Sequence, residues 1–429
     1  MSTASVDIAL PRLLTGLSQP GMARLARHLD VHGSLPAPAA LDGPALIELA
    51  ERAKLRGRGG ARFPAAIKMR AVRASRGRAI VVANGCESEP MSAKDALLLA
   101  EVPHLVLDGA ALAARAVGAE HVIVAYEGRR GSDSRQSLEH ALKERRAAGV
   151  DSVRFELFAA AETFLTGQET SLVSQINGGE PRPTFIPPRP TQRGVRRRPT
   201  LVQNVETLAH LALIARHGAG WYGAVGTDDE PGSTLVTVLG AVNAPGVYEI
   251  ECGTALESLL AAAGGLRGAI AGLLIGGYFG SWLPAGVVAE LAVCDASLAR
   301  HDAALGCGVL IALPSGACPV AETVRVAIYL ATETANQCGP CVHGSAAIAR
   351  TLHAIAEGSA APGALADLGR WTQSLPGRGA CHLPDGLAHF VSTALRTFPA
   401  AFDDHARHGP CESCGAPALL HIPAPSRPR

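Results

Sequence analysis

Three cysteines constrain this chain more than any other feature. Cys338 and Cys341 form a Cys-x-x-Cys pair within Thr334–Cys341, and Cys381 follows forty residues later. One tight turn brings both sulfurs of such a pair to the same side, so two thiolates can share a metal centre and a distant third can close the cage. The stretches before the pair (Ala321 to Thr332) and after it (Ser345 to Ile355) read as helices. This part of the chain must therefore fold as packed helices that return residue 381 to residues 338–341. An iron–sulfur cluster satisfies the requirement, and so does a zinc ion held by the three thiolates and a histidine such as His343 or His382.

The remaining cysteines narrow the setting. Ten are present, most of them late in the chain, which is not the even framework of a small secreted domain. No basic segment precedes an apolar one at the N-terminus, where Asp7 stands, so a reducing, cytoplasmic setting is expected. A second pair, Cys411-x-x-Cys414, lies in a flexible-looking tail and can supply a missing ligand, form its own zinc or redox pair, or do neither. Cys252, Cys294, Cys307 and Cys318 sit in apolar surroundings and read as small core residues. A formal net charge of +1 and 4% aromatic residues argue against nucleic acid as a partner. Residues 268–289 are uncharged and long enough to cross a bilayer, but six glycines and Pro284 fit a buried strand, a turn and a second strand better, so no membrane span is expected.

Upstream, strands alternate with helices from about residue 45 to residue 160, the pattern of a mostly parallel α/β sheet. The chain divides into a leader (1–44), an α/β domain (45–231), a small α+β domain of two strands, a helix and two more strands (232–313), a helical cysteine-bearing domain (314–400) and a tail (401–429). Four loops carry polar chemistry. Gly57, Gly59 and Gly60 precede a helix and let backbone N–H groups approach an anion. Asn84, Glu87 and Glu89 follow a strand's carboxyl end, where α/β sheets bind ligands. Thr166–Thr170 and Val202–Thr207 each open a helix with a carboxylate. Taken singly, each also reads as an ordinary polar turn.

Taken in order, these motifs resemble a known family. Arg56-Gly-Arg-Gly-Gly-Ala-Arg-Phe-Pro64, Asn84 to Asp95, Gly167-Gln-Glu-Thr170, Asn204-Val-Glu-Thr207 and Cys338-Gly-Pro-Cys341 are similar to the flavoprotein F subunit of bacterial NADH–quinone oxidoreductase and to related hydrogenase and formate dehydrogenase subunits. The resemblance implies a Rossmann-like FMN-binding domain, a ubiquitin-like SLBB domain and a helical bundle with a 4Fe–4S cluster. It implies FMN against Gly57, Arg58, Gly59, Gly60, Lys68, Asn84, Glu87, Gly167, Glu169, Asn204 and Thr207, with NADH or NADPH near Phe63 and Glu89. Cys338, Cys341 and Cys381 become cluster ligands. Electrons pass from NAD(P)H through FMN to the cluster and on to a ferredoxin-like or other iron–sulfur protein. A thioredoxin-like second subunit is among the implied partners, in the cytoplasm or at the periphery of a membrane complex.

The sequence departs from that pattern at Arg62, Cys86, Phe164 and Gln168, and Ala335 stands where a further cluster cysteine is expected. The arginine-rich loop Arg182–Arg198 offers a reader for a 2′-phosphate or a dock for an acidic partner. A non-catalytic iron–sulfur conduit that has lost nucleotide binding, and a zinc-stabilised interaction module, are the rival readings.

Overall fold

The structure, a computed structural model, describes residues 10–17, 23–128 and 132–424. Parts of the expected leader (1–9 and 18–22) and the end of the tail (425–429) lie outside the described residues.

Four strands, β1 (Ile80–Gly85), β2 (His121–Glu127), β3 (Arg154–Ala160) and β4 (Thr200–Asn204), form one sheet in the order β3-β2-β1-β4 with every pair parallel. Parallel neighbours need crossovers, here helices such as Pro103–Val117 and Ser132–Ala148. The apolar run of β1 is buried because the sheet is covered on both faces: Val81 and Ala83 face one core, Ile80 and Val82 another. The chain grows outward from β1 to β3 and then returns to set β4 on the other side of β1. This reversal is a topological switch point, outside whose strand ends a crevice opens. Helices Pro103–Val117 and Val205–Tyr222 cross closely over the sheet at Gly109, where a Cβ would stand 1.8 Å from the carbonyl oxygen of Leu208.

A second, mixed sheet follows. Strands β5 (Ser233–Gly240), β6 (Gly246–Glu251), β7 (Ile270–Ile275), β8 (Ser281–Pro284) and β9 (Val309–Pro314) take the order β6-β5-β9-β7-β8, with β5 and β9 parallel and the other pairs antiparallel. The sheet has five strands where four were expected, because β9 inserts between β5 and β7. One face packs on helix Leu256–Ala262 and the other on the C-terminal helices. The uncharged stretch 268–289 contains β7, a turn at Gly276–Gly280 and β8. No single helix among the described residues is long and apolar enough to cross a membrane.

The C-terminal helices are Pro319–Thr332, Ala346–Ala356, Ala364–Ser374, Leu383–Thr397 and Pro399–His408, with a π-helical turn at Pro340–Ser345. Such turns are rare and concentrate at functional sites; this one contains Cys341.

Candidate functional site

A cavity of about 400 Å³ opens at the switch point, within the size range of cofactor pockets. Its first wall is the carboxyl end of the parallel sheet: Arg58, Gly59, Gly60, Asn84, Glu87, Glu89, Gly167 and Asn204 line it. Asn84 and Asn204 are register partners across β1 and β4. The Asn84 amide donates to the Gly167 carbonyl at 3.0 Å, and its side-chain oxygen accepts from Cys86 N–H at 3.1 Å. Asn204 caps the following helix by accepting from Glu206 N–H at 2.9 Å, while its amide donates to Asp95 at 2.6 Å.

Other predicted residues support this wall without lining it. Thr207 accepts the Arg58 backbone N–H at 2.8 Å and so holds the glycine loop. Gly57 N–H donates to the Phe63 carbonyl at 2.9 Å, closing the loop's neck. Lys68 and Glu169 are ion-paired with each other. Phe63, expected near a nicotinamide, is 53% exposed and stands outside the cavity wall. Phe164 and Phe279 instead bring aromatic rings to the cavity, with centroids 4.8 Å apart. Phe279 came from a segment read only as a turn.

The acidic turn divides its labour. Glu87 accepts from the N–H groups of Asp95 (3.0 Å) and Ala96 (2.9 Å), so its carboxylate caps helix Lys94–Glu101. Glu89 accepts from Tyr278 N–H at 2.8 Å and is buried; desolvation pushes its carboxyl up to about 8. Lys94 lies beneath, 2% exposed, between Asp95 (2.7 Å) and Glu206 (3.0 Å). Burial alone would raise Glu206, but Lys94 holds it below the usual carboxylate range, whereas burial dominates at Asp95 and raises it.

The second wall comes from elements the sequence did not tie to the site: Gly276, Gly280, Gly306 and Cys307 of the mixed sheet, and Cys381, Leu383 and His389 of the helical region. Sequence supplies little signal for such a wall, because only tertiary packing brings it over the first. Arg62, at the expected last glycine of the loop, bridges the two units by pairing with Glu230 and with Asp295 at 2.8 Å.

The three predicted thiols also converge. Cys341, 2% exposed, shares hydrogen bonds with both Cys338 and Cys381. The bond from Cys341 and one from Leu383 N–H, working against burial, bring the Cys381 thiol down to about 7, so it is readily a thiolate donor. Ala335, where the first cysteine of the cluster motif is expected, is buried. Cys411 and Cys414 are drawn instead to Cys318 and His405, so Cys318 is not the isolated core residue its apolar surroundings implied.

These features fit the cofactors the motifs imply. A side chain at Gly59 would press on Asn204 Cβ at 3.2 Å, and one at Gly167 would meet Ser88 Oγ at 2.4 Å, so at both places in the wall the neighbouring residues leave room for glycine only. Three thiols with one already acidic suit a cluster of iron and sulfide.

A parallel sheet with a ligand crevice at its switch point, a β-grasp-like sheet and a cysteine-bearing helical bundle define a flavin- and iron–sulfur-binding oxidoreductase. Residues 50–213 match the family model of the Nuo51 FMN-binding domain, residues 235–271 the SLBB domain, and residues 321–405 the iron–sulfur binding region of NADH–ubiquinone oxidoreductase F. The chain is 29% identical over 379 residues to the second NADH-quinone oxidoreductase F subunit of Rhizobium meliloti, covering 85% of this chain and 90% of that one. It is 28% identical over 378 residues to the corresponding F subunit of Streptomyces coelicolor, covering 84% and 82%. The crystal structure of an air-oxidised NAD+-reducing [NiFe]-hydrogenase superposes with a TM-score of 0.83 at 29% identity, over 96% of this chain and 69% of that one. The chain is thus similar over most of its length to NADH-quinone oxidoreductase F subunits and carries, in order, an FMN-binding domain, an SLBB domain and an iron–sulfur binding region of that type.

Proposed function

We propose that the chain takes hydride from NADH at a flavin held in the cavity and passes electrons singly, through a cluster on Cys338, Cys341 and Cys381, to an iron–sulfur partner protein. The observation that carries this reading is the position of Cys381, a cluster-ligand candidate in the wall of the same cavity as Gly59, Asn84 and Asn204. When bound, FMN supplies an acceptor of two electrons that can be released one at a time.

The chain's own groups bind and orient. Gly59, Gly60 and Gly167 keep one wall flat, Asn84 and Asn204 set the strand ends, and Phe164 and Phe279 exclude water. Glu89, neutral below about pH 8, leaves the cavity less negative than its composition implies, which favours an anionic nucleotide. NADH rather than NADPH fits the placement of the last three arginines of the loop. Arg196, Arg197 and Arg198 precede β4 at its amino end, and Arg198 donates to the Ala79 carbonyl beside the start of β1. At about 3.3 Å per residue, Arg198 and Asn204 are about 20 Å apart along the strand, so these arginines are remote from the crevice.

An anaerobic visible spectrum before and after NADH tests the proposal. The expected result is a flavin band over a broad iron–sulfur shoulder, both bleached by NADH and far less by NADPH. A shoulder without flavin, unmoved by either nucleotide, would leave a non-catalytic conduit as the function.

A further inference from the structure

A second set of metal-binding side chains lies apart from the cluster cysteines. Cys318 stands at the start of helix Pro319–Thr332, His405 near the end of helix Pro399–His408, Cys411 just before the short turn Glu412–Gly415 and Cys414 within it. Their ligand atoms all lie within 4.8 Å of one another. His405 Nε2 is 3.2 Å from Cys414 Sγ and 3.5 Å from Cys318 Sγ; Cys414 Sγ is 3.5 Å from Cys318 Sγ and 3.7 Å from Cys411 Sγ. A tetrahedron with Zn–S bonds of about 2.3 Å and a Zn–N bond of about 2.0 Å has edges of about 3.5 to 3.8 Å, so these four atoms already stand near the corners of one.

The surroundings prepare the same group. The other ring nitrogen of His405, Nδ1, lies 2.8 Å from the Ala401 carbonyl, which fixes the tautomer that leaves Nε2 free as a ligand. His405 and Cys318 are both buried. The sulfurs of Cys411 and Cys414 are not joined, although a Cys-x-x-Cys could form a disulfide. A cluster of several irons would hold its thiolates further apart than four atoms in mutual contact.

We propose that Cys318, His405, Cys411 and Cys414 bind one structural zinc ion, separate from the cluster on Cys338, Cys341 and Cys381. The ion fastens the tail to the helical bundle. From that anchor the tail runs back across the molecule: Leu419 and Leu420 N–H donate to Glu322 at 2.9 and 3.0 Å, Tyr278 OH donates to the His421 carbonyl at 2.6 Å, and His421 N–H reaches Met91 Sδ at 3.3 Å. Met91 is two residues from Glu89, so zinc at one end of the tail steadies the other end against the acidic turn. The inference does not depend on the electron path proposed above.

Elemental analysis of the full-length protein, purified anaerobically without chelators, tests it. The expected result is about one zinc per chain, with a zinc-edge absorption spectrum of three sulfur neighbours and one nitrogen. Cys414→Ser should lower zinc at least about tenfold while leaving iron and flavin in place, whereas Cys341→Ser should lower iron and leave zinc. Should Cys414→Ser fail to fold, His405→Cys keeps four ligands and should retain zinc, now with four sulfur neighbours. Protein without zinc, zinc that disappears with Cys341, a disulfide between Cys411 and Cys414, or iron in place of zinc at this group would each overturn the proposal.

Discussion

Asn84 and Asn204 stand side by side at the carboxyl ends of β1 and β4, and each spends its side chain on holding a neighbouring loop at the crevice. Asn204 has the heavier duty, since it caps a helix and donates to buried Asp95. Asn204→Ala should therefore destabilise the protein by about 1 to 3 kcal/mol, through a lost cap and an underbonded carboxylate. It should also lower the flavin retained per chain. Thermal unfolding and the flavin-to-protein absorbance ratio check both. An unchanged ratio would remove Asn204 from the cofactor wall.

Lys94 contacts both Asp95 and Glu206, at 2.7 and 3.0 Å, while His210 stands 3.8 Å from Glu206 alone. Lys94→Met leaves both carboxylates buried without it. Breaking a buried pair by removing one partner costs about 3 to 5 kcal/mol. Adding Glu206→Gln should return part of that loss, because the amide needs no counter-charge. Urea denaturation of the single and double variants measures the coupling, and additive losses would contradict it.

Much of the first wall was legible in the sequence. Gly59, Asn84, Gly167 and Asn204 are set by local rules, since glycine loops before helices and polar residues after strands fall at sheet ends whatever the rest of the chain does. The parallel sheet followed from alternating patterns. The second wall was not legible, because Gly306 and Cys381 reach the cavity only through the packing of separate units. Phe63 stands outside the cavity wall for a related reason: a phenylalanine before a proline names no direction, and the fold leaves its ring exposed. Cys318 and Cys414, 96 residues apart, gave no sign of contact, because residues 319–408 must fold before the two sulfurs meet.

Burial raises the Glu89 carboxyl from its ordinary 4.5 to about 8. A carboxyl with a raised folded value contributes stability in its protonated form, and that stability is fully present below the unfolded value. It is lost as pH climbs from about 4.5 to 8 and the buried carboxylate is forced to ionise. Glu89→Gln removes the titration, so its melting temperature should fall less than that of the wild type across this window. Parallel melting curves would show that the titrating group lies elsewhere.

Arg62 adopts a positive φ of 49° and ties the glycine loop to Glu230 and Asp295. Arg62→Gly relieves the backbone but takes the paired cation from Glu230, whose side chain is 5% exposed, and leaves it the Asp295 backbone N–H. The lost charged bonds should outweigh the relieved strain, for a net cost of about 1 to 2 kcal/mol. The Arg62→Gly and Glu230→Gln double variant should cost little more than either single one. A more stable Arg62→Gly protein would mean that the arginine is tolerated there rather than used.

The arginines ahead of β4 serve as a control for nucleotide choice. Arg196 pairs with Glu156 of β3 at 3.3 Å on the outer surface, at the end of the sheet remote from the crevice. If they have no part in reading a 2′-phosphate, Arg196→Ala and Arg197→Ala should leave the NADH-to-NADPH ratio of kcat/KM within about twofold. Loss of a charge-assisted bond to phosphate is worth about 1.5 to 3 kcal/mol, more than a tenfold change. A shift of that size, confined to NADPH, would mean that the loop reaches the bound nucleotide after all. A change confined to the reduction of an iron–sulfur partner, and sensitive to salt, would assign the basic surface to docking instead.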